Sequence, residues 1–333
     1  MYNIAIAPVE ERKIMFLNAA DKSGMHPAVI EKDFWVCLTL DYLFHKSKWR
    51  DAFAFKGGTS LSKAYNLIER FSEDIDLILD WRVIGYGKNE PWELSSNTKM
   101  QKFIEESRNK LFTFLSQEFL PEFKKDLSEI LKTDINAFVE EKDPGTVVFV
   151  YPREFTEPAI LNVIKLEIGA LAAWTPTQMA SIKPYLAELY PNAFSIPCTN
   201  VLTTTAARTF WEKATILHQE AYRIENSKLP DRYSRHYYDM YCMAHSDVKV
   251  DALSQPELLE KVAEFKRKFY PRGWAKYEKA RIGSIKLMPA EHSIENLRED
   301  YKKMQAMIYG IYPSFDELLN CIKNLEDEIN NAK

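Results

Sequence analysis

Long apolar runs are absent from this sequence. No window approaches about 18 uninterrupted apolar residues, the length that a membrane-spanning helix requires. The N-terminal stretch MYNIAIAPVEERKIMF carries acidic residues early and has no extended apolar core, unlike a secretory signal peptide. We therefore expect a cytoplasmic protein without a membrane partner.

Cysteine and glycine are also scarce, and the chain has no net positive charge. The four cysteines stand far apart, without any CxxC pair, which indicates neither a zinc site nor a disulfide framework and fits a reducing compartment. Only 10 glycines and 16 prolines occur in 333 residues, which excludes collagen-like and low-complexity chains. The net charge of -4 argues against a strongly basic nucleic-acid coat, although a local basic groove remains compatible with it.

The remaining composition is that of a globular protein with a sizeable core. Hydrophobic residues make up 46% and charged residues 28%. Strand-like and helical patterns alternate up to about residue 200, except that four prolines within 174–200 predict an irregular connector. Almost purely helical patterns follow. We predict an α/β domain over 1–200 and a helical domain over 201–333.

The stretch AFKGGTSLSKAYNLIERFSEDIDLIL, residues 54–79, carries the clearest chemical signal. Its DIDLIL part alternates as a strand does, and side chains two apart share a face at a spacing of about 6.6–6.8 Å. Asp74 and Asp76 thus share one face, while Ile75 and Leu77 enter the core. Two neighbouring carboxylates disfavour each other's charge, and Mg²⁺ (or Mn²⁺) relieves this because carboxylates and substrate phosphates bind it together. The alternative is a solvated surface face.

The turn before this strand favours an anion. Gly57 and Gly58 permit a tight turn whose amides can cradle a phosphate, and Thr59 and Ser60 add hydroxyls. Simple helix capping by these hydroxyls is the alternative. SLSKAYNLIER predicts a helix of about three turns between turn and strand. Within this region Lys56, Lys63 and Arg70 are candidates to bind a triphosphate, or ordinary surface charges.

A third acid is predicted in the strand-like segment AILNVIKLEIGAL, residues 159–171. Lys165 and Glu167 share a face there, opposite Ile164, Leu166 and Ile168. Glu167 is therefore a candidate metal ligand or base, and Lys165 a candidate triphosphate ligand. Metal pairs about 3.5–4 Å apart clamp the reacting oxygens in two-metal sites. An ordinary solvated pair on an edge strand is the alternative, and the sequence does not show that this strand lies beside the first.

These motifs resemble a known family. KGGTSLSKAY followed by SEDIDL is similar to the nucleotidyltransferase signature of the DNA polymerase β-like superfamily. Together with IEKDFWVCLTLDYLF, IKLEI, TFWEKATILHQEA and RHYYDMY, it resembles the AbiEii/AbiGii toxin family over roughly residues 25–245. The resemblance implies an α+β fold, with an N-terminal polymerase β-like mixed sheet and helices, and an all-α C-terminal half.

The resemblance also implies an activity and its residues. Family members are toxins of toxin–antitoxin and phage-abortive systems that transfer a nucleoside monophosphate from an NTP to an acceptor, with Mg²⁺. The expected acceptor is RNA such as the tRNA acceptor end, and a cognate antitoxin is an expected partner. By position, Ser60 and the Gly57–Gly58 backbone match the phosphate ligands. Asp74, Asp76 and, approximately, Glu167 match the metal-binding acids, and Lys213 and Asp239 best match a lysine and an aspartate essential in some relatives.

The helical half offers further candidates. Lys213 lies at the edge of an apolar stripe, where its ammonium either reaches a ligand or is a plain surface charge. Arg235 and Asp239 are helix neighbours that either pair with each other or bind nucleotide, whereas His236 is one position off. The segment 265–283 interleaves Lys and Arg with five aromatics, a mixture suited to RNA and equally to an amphipathic helix with solvated charges.

Other functions remain open at this stage. A nucleotidyltransferase that modifies a protein or small molecule fits the same motifs, because no motif encodes the acceptor. A catalytically silent toxin on this scaffold predicts a missing acid, but Asp74 and Asp76 are both present. A phosphohydrolase would show a His/Asp cluster, which the sequence lacks.

Overall fold

The computed structural model of the chain describes residues 1–87, 96–158, 160–170, 176–225, 227 and 229–332. Two compact units divide the chain. The first unit contains residues 1–64 and 71–203, and the second unit contains 65–70 and 204–333. The predicted division after residue 200 lies close to this one and stays a prediction of domains. It did not foresee that the short segment 65–70 belongs with the second unit.

The first unit is built on a seven-stranded mixed sheet in the order β3-β4-β5-β2-β1-β7-β6. Pairs β2/β5 and β1/β7 are parallel, whereas β1/β2, β3/β4 and β4/β5 are antiparallel. Buried and partly or fully exposed residues alternate along β5, whereas β1 and β2 are buried except at Lys56 and Asp76. The strands are β1 (Phe53–Lys56), β2 (Ile75–Leu79), β3 (Asn136–Val139), β4 (Thr146–Val150), β5 (Ile164–Gly169), β6 (Thr177–Ile182) and β7 (Thr199–Thr204).

Two helices of the first unit, α3 and α5, begin at side-chain caps. Pro27 occupies the first turn of α3, and His26 accepts a hydrogen bond from the Ala28 amide. Ser96 caps α5 in the same way. Buried aromatic side chains of α3, β1 and the π-helical segment 115–119 meet in the core. The helices are α1 (Tyr2–Ala5), α2 (Val9–Ser23), α3 (Pro27–Asp41), α4 (Gly57–Lys63), α5 (Asn97–Phe114), α6 (Leu120–Leu131) and α7 (Tyr185–Leu189).

Two local predictions were wrong. The helix expected over residues 60–70 ends at Lys63 after seven residues, because Asn66 adopts a left-handed φ of +51° that a helix does not continue through. The irregular connector expected over 174–200 contains β6, α7 and the start of β7. Its prolines stand at or just before element boundaries, as Pro184 does at the N-cap of α7. Residues 171, 174 and 175, and 159 in the predicted β5 segment, lie outside the described residues.

The regular elements in the described part of the second unit are helices, apart from an isolated bridge between Arg70 and Ile308 and the end of β7. Thr205 caps α8, and a capping box of Ser314 and Glu317 begins α13. The helices are α8 (Ala206–Ala221), α9 (Arg235–Ala244), α10 (Asp247–Leu253), α11 (Pro256–Phe269), α12 (Ile294–Met304) and α13 (Phe315–Asn331). The predicted α+β class, with a mixed sheet and a helical C-terminal half, is confirmed. Among the described residues, no helix is both long and apolar enough to cross a membrane.

Candidate functional site

Gly57 joins the turn to the acidic strand. It directly follows β1 and begins α4 with a φ of +80°, a left-handed conformation that favours glycine. A Cβ at this position would overlap the Asp76 carboxylate, at 2.6 Å from its Cγ. Both the backbone conformation and the close approach therefore require glycine. The Gly-Gly turn and the second aspartate are in direct contact.

The two hydroxyls of the turn make internal hydrogen bonds. Thr59 is buried, donates from Oγ1 to the Asp74 carbonyl and lies 2.9 Å from Ser72 Oγ. Ser60 is fully buried and donates from Oγ to the Gly57 carbonyl at 2.8 Å. Thr59 thus ties α4 to the strand that carries the acids. The phosphate contacts predicted for Thr59, Ser60 and the half-buried Gly58 stay predictions.

The predicted acids lie on, or directly before, two neighbouring strands of the sheet. Asp74 and Asp76 are half-buried, whereas Ile75 and Leu77 are fully buried, so the alternation read from the sequence holds. Asp76 pairs in register with Glu167 on β5, which is exposed. Paired residues of neighbouring strands present their side chains to the same face. The two strands that carry the acids are therefore neighbours in the sheet, which the sequence alone did not show.

These donors fit one kind of metal site. No three Asp, Glu, His or Cys side chains of the described part of the chain are grouped closely enough to hold a metal ion. Asp74, Asp76 and Glu167 are therefore not assembled as a three-ligand site. Mg²⁺, however, takes hard oxygen donors and is commonly bound by one or two carboxylates plus substrate phosphates. The Asp74 and Asp76 pair fits that requirement, and the metal role of Glu167 stays a prediction.

Two predicted phosphate-binding lysines have acidic partners in the first unit. Lys165 Nζ lies 2.8 Å from Glu140 Oε2, and the hydrogen bond to Glu140 raises the pKa of Lys165, with Asp74 and Glu167 adding to the effect. Lys63 Nζ lies 2.7 Å from Asp33 Oδ1 with both side chains buried. Their predicted roles toward nucleotide stay predictions.

Four polar residues form a buried network in the second unit. Arg70 donates to Asp239 twice, from Nε to Oδ1 at 2.6 Å and from Nη2 to Oδ2 at 2.8 Å. Lys213 Nζ donates to Asp239 Oδ2 at 2.7 Å and lies 3.1 Å from His236 Nδ1. Asp239 is fully buried, and the other three are at most 8% exposed. The structure thus brings Lys213 and Asp239 into direct contact.

Burial and the charges within this network shift the pKa values of Asp239 and His236. Burial alone raises the pKa of Asp239, but Arg70 and Lys213 outweigh it and hold the pKa below its usual range. Burial and the neighbouring Lys213 ammonium hold the pKa of His236 well below its ordinary value. His236 is therefore neutral and accepts from Lys213 through Nδ1. The carboxylate is ionised and bound by two cations.

The structure differs from the sequence-based expectations for Arg235, Arg70 and His236. Arg235 is exposed, and Asp239 pairs with Arg70 and Lys213, so the i,i+4 pairing considered for Arg235 and Asp239 is not what satisfies the carboxylate. The sequence pattern allows a surface position for Arg70, and it places His236 one position off the helix face of Arg235 and Asp239. A hydrophobic segment around Arg70, with Ile68 and Phe71, was the one available signal that this cation is buried.

The basic and aromatic segment 265–283 presents its charges outward. Arg267, Arg272 and Lys279 are exposed, and so is Tyr270. The half-buried Trp274 ring has the Arg223 and Arg272 guanidinium carbons 5.6 and 5.8 Å from its centroid. The surface of this segment is thus positive and exposes Tyr270 and part of Trp274, whereas Phe265, Phe269 and Tyr277 are buried.

Comparison with known proteins places this geometry in a family. A family model described as nucleotidyl transferase AbiEii toxin, type IV toxin–antitoxin system, matches residues 41–321. Among solved structures the chain is similar to MenT4, a nucleotidyltransferase toxin from Mycobacterium tuberculosis H37Rv, with 15% identity, a TM-score of 0.42, and 95% of this chain and 97% of that chain covered. It is also similar to JHP933 from Helicobacter pylori, with 13% identity, a TM-score of 0.40, and 90% and 93% of the two chains covered.

Comparison with curated proteins gave no match. The match of the family model spans most of the chain, from the end of α3 to α13. It contains the Gly-Gly turn, the acidic strand and the buried network of the second unit. The resemblance read from the sequence motifs is confirmed, and the chain belongs to the AbiEii family of nucleotidyltransferase toxins of type IV toxin–antitoxin systems.

Proposed function

We propose that this toxin transfers a nucleoside monophosphate from an NTP to RNA, such as the acceptor end of a tRNA, and releases pyrophosphate. The observation that carries the proposal is the contact of Gly57 with Asp76 beside the register pairing of Asp76 with Glu167. A turn with accessible backbone and a row of carboxylates is the arrangement that phosphoryl transfer needs, since catalysis there rests on positioning and charge stabilisation.

Asp74 and Asp76 would hold the metal ion, and with it the triphosphate. Mg²⁺ or Mn²⁺, when bound, supplies positive charge against the phosphate oxygens of the transition state. Glu167 is exposed on the same row and accepts the proton of the acceptor hydroxyl or orients that hydroxyl for attack. Lys56, in register with Asp76 on the other side, and Lys165 supply positive charge near the departing pyrophosphate.

Lys213 and Asp239 enter the proposal through their network. Asp239 binds Arg70 and Lys213 at hydrogen-bond distance in a fully buried setting, so loss of either partner leaves an unpaired charge inside the second unit. We assign this pair to the integrity of that unit, on which activity depends. Arg235, which is exposed, is assigned to the binding of nucleotide or RNA phosphates.

An RNA acceptor is supported by the surface of segment 265–283. Its exposed Arg267, Arg272 and Lys279 suit phosphate contacts, and Tyr270 and Trp274 offer rings on which unpaired bases stack. The family further implies a nucleotide substrate and an antitoxin partner.

The acceptor is tested by labelling. The protein is incubated with each α-³²P-NTP, Mg²⁺ and either total RNA or an RNase-treated protein extract, and the products are separated on gels. We expect label in RNA, with the strongest band among tRNAs, and none in protein. Label that appears only in protein, or in neither, would overturn the RNA proposal. A charge-reversing R272E/K279E variant should lower labelling of RNA while leaving the unfolding temperature unchanged.

A further inference from the structure

Three consecutive charged residues are buried on helix α3. Glu31 and Lys32 are fully buried, and Asp33 is 3% exposed. Successive residues of an α-helix point about 100° apart, so the three side chains reach three different segments. Burying a charge is costly unless it is paired. Each of these charges is accordingly bound by a separate part of the first unit.

Asp33 holds the helix that begins with the Gly-Gly turn. Its carboxylate lies 2.7 Å from Nζ of Lys63, the last residue of α4, with both side chains buried. The Tyr185 amide donates to the same carboxylate at 2.7 Å, and the Lys63 ammonium lies 3.8 Å from the centre of the Tyr185 ring. The far end of α4 is therefore fixed to α3, while its near end carries Gly57.

Lys32 holds the entry to the acidic strand. Its Nζ donates to Glu73 Oε2 at 2.7 Å and to the Leu161 carbonyl at 2.8 Å, and the Leu161 amide donates to Glu73 Oε2 at 2.9 Å. Glu73 directly precedes Asp74, and Leu161 lies three residues before the start of β5, which carries Glu167. One buried ammonium thus fixes the chain before both acid-bearing strands.

We propose that Lys32 and Asp33 are positioning residues of the nucleotidyl-transfer site, an inference that rests on the proposed function. Neighbouring positions of one rigid helix hold the phosphate turn through Lys63 and the carboxylates through Glu73. Displacement of reacting groups by about 1 Å costs on the order of 100-fold in rate. A support on a helix, bonded to both halves of the site, limits such displacement.

Glu31 supplies a matched control on the same helix. It accepts hydrogen bonds from the Glu154 and Phe155 amides at 2.8 and 3.0 Å. It is as buried as Lys32, but its segment carries none of the candidate site residues. A Glu31→Gln variant therefore reports the effect of altering a buried, hydrogen-bonded carboxyl group on α3 without touching either half of the site.

Hydrogen–deuterium exchange and steady-state kinetics on K32M, D33N and E31Q test the proposal, at a temperature where circular dichroism shows each variant folded. We expect faster amide exchange in 72–76 and 160–164 for K32M, in 57–63 for D33N, and only around 153–156 for E31Q. We expect kcat/KM to fall about tenfold or more in K32M and D33N and less than about twofold in E31Q. Conservative variants K32R and D33E, which keep the charge, should show the same pattern at smaller amplitude and replace any variant that does not fold.

Each outcome decides one question. Exchange in 57–63 and 72–76 that changes no more than in E31Q overturns the anchoring by Lys32 and Asp33, whether or not the wild type is active. Faster exchange with a kcat/KM loss equal to that of E31Q overturns the positioning role. A wild type that transfers no nucleotide refutes the proposed function, and the exchange data then still decide whether the two residues fix these segments.

Discussion

Gly57 packs its Cα against the carboxylate of Asp76, so closely that any side chain at this position would collide with the acid. This contact joins two sequence motifs that are 19 positions apart into one site. The position of the Asp76 carboxylate therefore depends on the absence of a side chain at Gly57. Even replacement of Gly57 by alanine is therefore expected to disturb the site.

Gly57→Ala should abolish measurable nucleotidyl transfer and lower the free energy of unfolding by about 1–3 kcal/mol, the usual cost of a strained backbone. The added methyl displaces the Asp76 carboxylate. Gly85→Ala is the matched control, because Gly85 has a φ of +85° but nothing within 4 Å of an added Cβ. It should show a comparable loss of stability in urea unfolding with transfer retained. Equal activity of the two variants would show that the contact does not matter.

Glu167→Gln should lower kcat by about 100-fold or more, as loss of a general base does, while the KM for NTP changes little. The residue is exposed, so the unfolding temperature should stay within about a degree of the wild type. Glu141→Gln, at an exposed acid of the same unit, should leave kcat unchanged. An unaltered kcat in E167Q would remove Glu167 from the site.

Asp239→Asn should destabilise the protein by about 3–5 kcal/mol, because the buried Arg70 and Lys213 lose their counter-charge. The pKa of Asp239 is lowered in the fold, so its contribution is present above the unfolded value of about 3.9 and is lost as the pH falls below it. Urea unfolding from pH 7 to pH 2 should show the difference between the variant and the wild type shrinking at low pH. The exposed Arg235→Gln variant serves as the control, with a small and pH-independent effect.

Glu31 should give the stability a pH dependence near neutrality. Burial raises the pKa of Glu31 to about 7, against the opposing hydrogen bonds of the Phe155 and Glu154 amides. A raised folded pKa means that its stabilising contribution is full below the unfolded value of about 4.3 and is lost as the pH rises through about 7. The loss amounts to about 4 kcal/mol at most.

Glu31→Gln mimics the protonated form and removes this dependence. The difference in unfolding free energy between wild type and variant should change between pH 5 and pH 8. A constant difference over that range would contradict the assignment.

The sequence predicted the local chemistry better than the non-local contacts. Alternation in DIDLIL placed Asp74 and Asp76 on one face, and the structure agrees, because this pattern is set by strand geometry alone. The pairing of Asp76 with Glu167 joins strands about 90 positions apart in the chain, and local patterns do not encode such a register. The resemblance to the toxin family implied a shared site for these acids, which the strand pattern alone did not establish.

Buried cations were the hardest to predict. The sequence pattern is compatible with surface charges or triphosphate ligands at Arg70 and Lys63, but it does not show that each is bound by a buried aspartate in the fold. For Arg70 this aspartate is Asp239, 169 positions away. A triplet of charged residues on a helix is typical of a solvated face, so the sequence pattern does not predict that Glu31, Lys32 and Asp33 are buried. Tertiary pairing overrides that reading, and only the fold reveals the partner.

The most direct measurement of the central claim compares Asp76→Asn with Asp51→Asn in transfer of label from an α-³²P-NTP to RNA. Asparagine keeps the size of Asp76 but removes the charge that binds Mg²⁺, whereas Asp51 is an almost fully exposed aspartate of the same unit. The account predicts no detectable transfer by D76N, full transfer by D51N, and equal unfolding temperatures within a few degrees. Transfer by D76N at the wild-type rate would contradict it.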